Sequence, residues 1–308
     1  MAKISIIIPV FNVEKYIERC LKSIINQSFK DIEILIVNDC TPDASMTIVK
    51  KYAQKDKRIK ILENEINLGL SWSRQVGFNA ANGEFIMFCD SDDWLPNNSI
   101  EILYNAINKT NYDIIIGDYD IYKNEQEIIT TFHNKLNYGN NILSVFKSLL
   151  KLEISHSMCG KIFKSSLFKN KDFNIQKNFI NSEDAYLFYQ LVQQSSLIGN
   201  VEKSVYCYFC NTESSSRKRL NDRSLETMAI ANIKIKEIIS QYPELHKLLD
   251  SYLTYSIFQW MLSGSKSYSR TIRILKKYQL NNYLSLFYCI KQNKHTFDYL
   301  KILIKSIL

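Results

Sequence analysis

Along the first 120 residues the apolar positions switch repeatedly between two spacings, and this alternation is what most restricts the fold. Lys3 to Ile8 is a short, nearly unbroken apolar run. Val13, Tyr16, Ile17, Cys20, Leu21, Ile24 and Ile25 then recur at i, i+3, i+4, the stripe of a helix, with Asn12 as its expected N-cap. Runs at Ile32 to Val37, Ile59 to Leu62, Glu84 to Cys89 and Asp113 to Gly117 predict further strands. The stripe Ile48, Val49, Tyr52, Ala53 after Asp43, and the segments Leu70 to Ala81 (stopped by Asn82-Gly83) and Ser99 to Ile107, predict helices. Strand–helix units with short connections fold into a mostly parallel sheet with helices on both faces.

Ligands of such sheets sit at the carboxyl ends of the strands. Four expected strand ends carry polar clusters: Pro9-Val10-Phe11-Asn12, Asn38-Asp39, Glu63-Asn64 and Asp90-Ser91-Asp92-Asp93. Three carboxylates at one strand end repel unless a cation compensates them. Their oxygens suit Mg²⁺ or Mn²⁺, ions that bridge protein carboxylates to phosphates; the plainer reading is a cap cluster before Ser99. Asp39 can accept from a base N–H or a ribose, or make an Asx turn toward Pro42. Arg74, one turn into a helix after Asn67-Leu68-Gly69, can clamp a phosphate or pair with an Asp of the sheet edge. Glu183-Asp184 opens an apolar helix, where the helix dipole favours acids as caps and also keeps a carboxylate ionised, as a general base requires.

After Asp118 the alternation ends. Ile121 to Phe132 reads as a hairpin, Ile142 to Leu152 and Ser182 to Gln193 as helices, Val201 to Phe209 as a strand, and everything beyond Asn221 as helices. A boundary is expected near residue 220, with subdivisions 1–118 and 119–220 before it and a basic helical region in 221–308. That last region holds 13 Lys and Arg against 6 Asp and Glu, so it carries nearly all of the chain's net charge of +8. With apolar stripes such as Tyr299, Leu300, Ile302, Leu303 and Ile307 it suits either a solvated helical surface or an anionic membrane face. Nothing resembles a nucleic-acid-binding motif.

No run approaches the roughly 18 apolar residues of a spanning helix. Seven scattered cysteines with no signal-type segment point to a reducing compartment, so a cytoplasmic protein, soluble or peripheral, is expected. Cys207-Tyr208-Phe209-Cys210 has no second pair to complete a zinc site. The histidines are isolated.

Taken in order, these motifs resemble glycosyltransferase family 2, inverting nucleotide-sugar enzymes of the GT-A fold. The resemblance rests on Ile8-Pro9-Val10-Phe11-Asn12, Val37-Asn38-Asp39-Cys40-Thr41-Pro42-Asp43, Asn67-Leu68-Gly69 with Arg74-Gln75-Val76-Gly77, Asp90-Ser91-Asp92-Asp93-Trp94, Gly160-Lys161-Ile162-Phe163 and Ser182-Glu183-Asp184, over residues 3 to about 216. Gln75 stands where the family usually has Asn. The tail from 221 resembles the variable basic ends of bacterial surface-polysaccharide transferases.

The resemblance implies Phe11 and Asp39 on uracil, Asp90 and Asp92 on ribose and on a Mn²⁺ or Mg²⁺ bridging the diphosphate, and Arg74 supporting the nucleotide. Asp184 would be the catalytic base. Pro9, Asn12, Asn67, Lys161 and Glu183 would line the substrate site. The implied reaction moves a hexose or N-acetylhexosamine from a UDP-sugar to a hydroxyl of a surface-polysaccharide, lipooligosaccharide or other lipid-linked glycan, at the inner face of a bacterial membrane. A nucleotidyltransferase and a non-catalytic, membrane-associated nucleotide-sugar-binding protein are the rival readings. The first usually shows a Gly-rich phosphate loop that is missing here.

Overall fold

The computed structural model describes all residues except 1, 110, 138, 170–172, 174–178, 180, 211–220, 263–267 and 285–308. The expected boundary near 220 and the stripe from Tyr299 to Ile307 lie outside the described residues.

Among the described residues eight strands form one sheet, in the order β3-β2-β1-β4-β7-β5-β6, with β8 off this path and pairing in parallel with β5. The strands are β1 (Ile4–Val10), β2 (Ile32–Asn38), β3 (Ile59–Glu63), β4 (Phe85–Phe88), β5 (Ile114–Asn124), β6 (Glu127–Phe132), β7 (Lys161–Lys164) and β8 (Ile198–Phe209). Between them run α1 (Ile17–Ile25), α2 (Ser45–Ala53), α3 (Leu70–Ala80), α4 (Ser99–Asn108), α5 (Ile142–Leu150) and α6 (Glu183–Gln194). All seven residues of β1 are buried, as a central strand covered on both faces requires.

β1 pairs in parallel with β2 and β4, and β2 with β3, so these four strands deliver their carboxyl ends to one edge. The chain leaves β1 toward β2 on one side and returns to β4 on the other. This places the switch point of the sheet, where ligands of open α/β sheets bind, between Val10 and Asp90. β7, too short to be read as a strand in the sequence, runs antiparallel to both β4 and β5. The β5–β6 hairpin follows as expected.

Beyond residue 220, α7 (Asp222–Ile239), α8 (His246–Leu262) and α9 (Tyr268–Lys277) continue the fold. α7 packs on α6 and α8 on α5. Ile235, Ile239, Leu249 and Leu253 join the same apolar core as the sheet, while Leu225, Ile257, Ile274 and Leu275 form a smaller cluster among the last helices. Among the described residues no helix is long and apolar enough to cross a membrane.

One local expectation is corrected. Asn12 does not cap α1, which begins at Ile17 after Tyr16 with no side-chain cap bond. Asn12 has a φ of 56° and its N–H donates to Thr41 Oγ1 at 2.8 Å, while the Glu14 N–H reaches Asp43 Oδ2 at 2.8 Å. The turn after β1 is therefore tied across to the turn after β2 instead of winding into the helix.

Gly77 sets how closely α3 approaches the sheet. A Cβ there would lie 2.3 Å from Cγ2 of Ile7, a fully buried residue of β1. Arg74 precedes it by one helical turn on the same face, so the same close approach delivers that arginine. Gly77→Ala gains about 1 kcal/mol of helix propensity but forces overpacking that costs about 1–3 kcal/mol. A lowered urea midpoint at unchanged m-value is expected; a raised midpoint would show that β1 and α3 separate freely.

Candidate active site

Arg74 is the centre of the site. It is 1% exposed, yet its guanidinium meets two carboxylates from distant parts of the chain. Nη2 donates to Asp90 Oδ1 at 2.7 Å, and Nη1 donates to Asp184 Oδ1. The side chains of Asp90 and Asp184 are 29% and 23% exposed, so the pair faces outward over a fully covered cation. The other oxygen of Asp184 accepts the Met158 N–H at 3.1 Å. A single planar fork thus sets the separation of the acid after β4 and the acid at the start of α6.

The Asn-x-Gly turn before α3 is built around Asp39. Its Oδ1 accepts from Asn64 Nδ2 and from the Leu68 N–H, and its Oδ2 from the Gly69 N–H, all at 2.8 Å. Gly69 has φ 87° and ψ 169°, a conformation that favours glycine, and it aims two successive N–H groups at one carboxylate. Asn64 also donates to Ser73 Oγ at 3.1 Å, linking this turn to the residue beside Arg74. The turn at the end of β2 is tied by Asn38 and not by Asp39: Asn38 Oδ1 accepts the Thr41 N–H three residues on. Asp39 is itself buried.

The acidic triplet divides cleanly. Asp93 is buried, accepting the Tyr206 hydroxyl proton on Oδ2 at 2.6 Å and the Phe209 N–H on Oδ1 at 2.7 Å. Burial, with Asp92 and Asp90 nearby, pushes its carboxyl well above the ordinary range. The same Tyr206 oxygen accepts the Asp90 N–H at 3.1 Å. Asp93 is therefore a strut that fastens the loop to β8, leaving Asp90 and Asp92 as the outward acids. Among the described residues no group of three or more His, Cys, Asp or Glu is arranged to hold a metal alone. Two carboxylates fit the other mode, in which a hard cation takes one or two of them and completes its shell with water and phosphate oxygens.

Beside the clamp, Ser71, Arg74, Phe179, Glu183, Asp184, Tyr186 and Leu187 line a small pocket open to solvent. Ser71 Oγ, Arg74 Nε and Glu183 Oε2 are buried in its lining without hydrogen-bond partners. Burial, reinforced by the neighbouring Asp184, pushes Glu183 up to about 7. Burial also raises Asp184, with Arg74 opposing it. One donor, one hydroxyl and one carboxyl thus stand against an apolar wall, each able to make a hydrogen bond with a polar ligand group.

The structure thus brings Arg74, Asp90, Glu183 and Asp184 together. Pro9 is buried within β1, and Phe11, 46% exposed, follows its end with Asn12. Asn67 is exposed in the turn before α3. Lys161 lies beneath the site, fully covered, with Nζ donating to the Ser157 carbonyl and 4.7 Å from the Phe188 ring. Burial draws it down to about 8. Tyr206, Met158 and Ser71 are singled out by no motif, and only the folded chain shows their part. Neither Cys207 nor Cys210 is in a disulfide.

The model of Glycosyl transferase family 2 matches residues 5–175. The chain is 38% identical over 227 residues to the glycosyltransferase GlyA of Streptococcus pneumoniae, covering 70% of this chain but only 32% of that one, so it spans about a third of that relative's length. The structure of S. aureus TarS 1–349 in complex with UDP-GlcNAc superposes with a TM-score of 0.66 at 20% identity, covering 91% of this chain and 89% of that one. The mannosyltransferase PcManGT of Pyrobaculum calidifontis, in complex with GDP-Man and Mn²⁺, gives a TM-score of 0.54 at 13% identity over 99% and 87% of the two chains. The GT-A architecture expected from the motifs is the one observed. The chain belongs to glycosyl transferase family 2 and is a glycosyltransferase.

Proposed function

We propose that this glycosyltransferase moves a hexose or N-acetylhexosamine from a UDP-sugar to a hydroxyl of a surface-polysaccharide or lipid-linked glycan, with inversion and with Mn²⁺ or Mg²⁺. The observation that carries the reading is the shared guanidinium of Arg74. It joins a carboxylate suited to a metal–diphosphate, Asp90, to one suited to proton abstraction, Asp184.

Asp90 and Asp92 would hold the metal, which supplies Lewis-acid stabilisation of the charge growing on the leaving diphosphate. Asp184 takes the acceptor hydroxyl's proton as the new bond forms. Its contact with Arg74 opposes the effect of burial and favours the ionised state that this task needs. Glu183, pushed up to about 7 by burial, offers a hydrogen bond to a sugar hydroxyl in the adjoining pocket. A base on the face opposite the leaving group gives a single displacement and needs no covalent carboxylate nucleophile. Family membership favours transfer of the sugar over transfer of a nucleotidyl group.

The uracil preference is supported by Phe11 at the end of β1, a ring open to stacking, and by the likeness to TarS with its UDP-GlcNAc. The likeness to a GDP-Man enzyme makes guanosine donors the competitor to test. The glycan acceptor and a peripheral position on an anionic inner membrane are supported by the charge of 221–308.

Release of the nucleoside diphosphate (UDP or GDP) from a panel of UDP- and GDP-sugars, with glycan acceptor present, tests the donor and the metal together. Turnover is expected with a UDP-sugar only, lost with chelator and restored by Mn²⁺ or Mg²⁺, and absent in a folded Asp92→Asn variant. Full activity of that variant in metal-free buffer would overturn the metal assignment.

The base is tested by substitution. Asp184→Asn should lose transfer by at least about 10²-fold, the usual effect of removing a general base, while still binding UDP. Glu183→Gln should lose less. The reverse ranking would move the base to Glu183.

Glu183 also makes a stability prediction. Its carboxyl is raised from 4.5 to about 7 in the folded chain, so the folded state holds the extra proton between those values. Stability is then undiminished below 4.5 and falls as the pH rises toward about 7. The wild-type melting temperature should drop more between pH 5 and pH 8 than that of Glu183→Gln. Equal drops would assign the slope to another group.

A further inference from the structure

Arg19 belongs to no motif, and its role is visible only in the fold. From α1 it reaches under the loop that carries the acidic triplet, with a side chain 18% exposed. Nη2 donates to the main-chain carbonyl of Asp92 at 2.6 Å. Nη1 pairs with Glu125 Oε1 at 3.1 Å, in the turn between β5 and β6. The centre of the guanidinium lies 4.0 Å from the Trp94 ring, 4.7 Å from Phe209 and 5.9 Å from Tyr16. Trp94 packs in turn on Tyr122 at 4.6 Å.

These contacts are unequal. Glu125 is 71% exposed, so its ion pair is hydrated, screened and weak. The bond to the Asp92 carbonyl and the stacking on Trp94 are shielded, and a flat guanidinium can do both at once where an ammonium cannot. The hold falls on the acidic loop itself. Asp90 is fixed by Arg74, and Asp93 by Tyr206 and Phe209. Asp92 stands between them, half-buried, and the bond from Arg19 grips its own peptide. Fixing that peptide plane narrows the arc through which the carboxylate on the same Cα can swing.

We propose that Arg19 is a positioning residue for Asp92: it holds the Asp92 carbonyl against the Tyr16–Trp94–Phe209 wall and so aims the carboxylate at the metal–diphosphate. The inference rests on the metal reading of Asp92 given above. It predicts a defect in metal affinity in the absence of any turnover, as loss of an outer support for a metal ligand typically gives.

Mn²⁺ binding in the presence of UDP, read as free Mn²⁺ by electron paramagnetic resonance, tests it on the full chain. Arg19→Lys and Arg19→Gln should weaken Mn²⁺ by about 10-fold or more. Glu125→Gln should bind as wild type does. Arg19→Lys keeps the charge and most of the volume, and a wild-type melting temperature for it shows that the defect is local. Wild-type Mn²⁺ affinity in Arg19→Lys, alongside weak binding in Asp92→Asn, would overturn the role of Arg19 and leave the metal site standing. Wild-type affinity in Asp92→Asn would overturn the metal reading itself and this proposal with it. A defect in Glu125→Gln equal to that in Arg19→Lys would move the hold to the hairpin and overturn the assignment to the carbonyl bond.

Discussion

A guanidinium with 1% of its surface exposed cannot be left without counter-charge, and Arg74 meets two carboxylates. Burying an unpaired ion is prohibitive, whereas breaking a buried pair by removing one partner typically costs about 3–5 kcal/mol. That penalty makes the rest of the site obligatory. Helix α3 must lie close on β1, which Gly77 allows. The end of β4 and the start of α6 must then converge on the same point, although Asp90 and Asp184 are far apart in sequence. The two acids are half-exposed over a covered cation, so they are fixed at the base and open to ligand at the face.

The surrounding contacts extend this logic. Tyr206 joins the Asp90 backbone to the Asp93 carboxylate, so β8 braces the acidic loop from behind. Asp39 braces the turn that starts α3. Burial raises both neighbouring carboxyls, Glu183 and Asp184, and Arg74 opposes it at each, as the second-largest cause at Asp184 and a lesser one at Glu183, whose Oε2 has no partner.

Much of this was legible in the sequence because it is local. The first four strands and their helices follow from apolar periodicity, and the polar strand ends mark the ligand edge. The motifs also named Arg74, Asp90, Glu183 and Asp184. What escaped depends on long-range contact. Asn12 reads as a cap until its N–H is seen on Thr41. Four residues of β7 are too few to show a period. Asp93 is indistinguishable from Asp90 and Asp92 until Tyr206, more than a hundred residues later, takes one of its oxygens. Arg74 could be read as a phosphate clamp or a structural pair, and the fold shows the pair, with both partners at the site.

The claim on which the account turns is that Asp90 and Asp184 share one buried cation. A double-mutant cycle on Asp90→Asn and Asp184→Asn, measured by urea unfolding, addresses it directly. Either single change leaves Arg74 one carboxylate, and the double change leaves it none. The double variant should therefore lose more stability than the two singles summed, with a coupling of about 0.5–3 kcal/mol. Additivity within about 0.3–0.5 kcal/mol would mean that the two acids act independently, and the shared clamp would be contradicted.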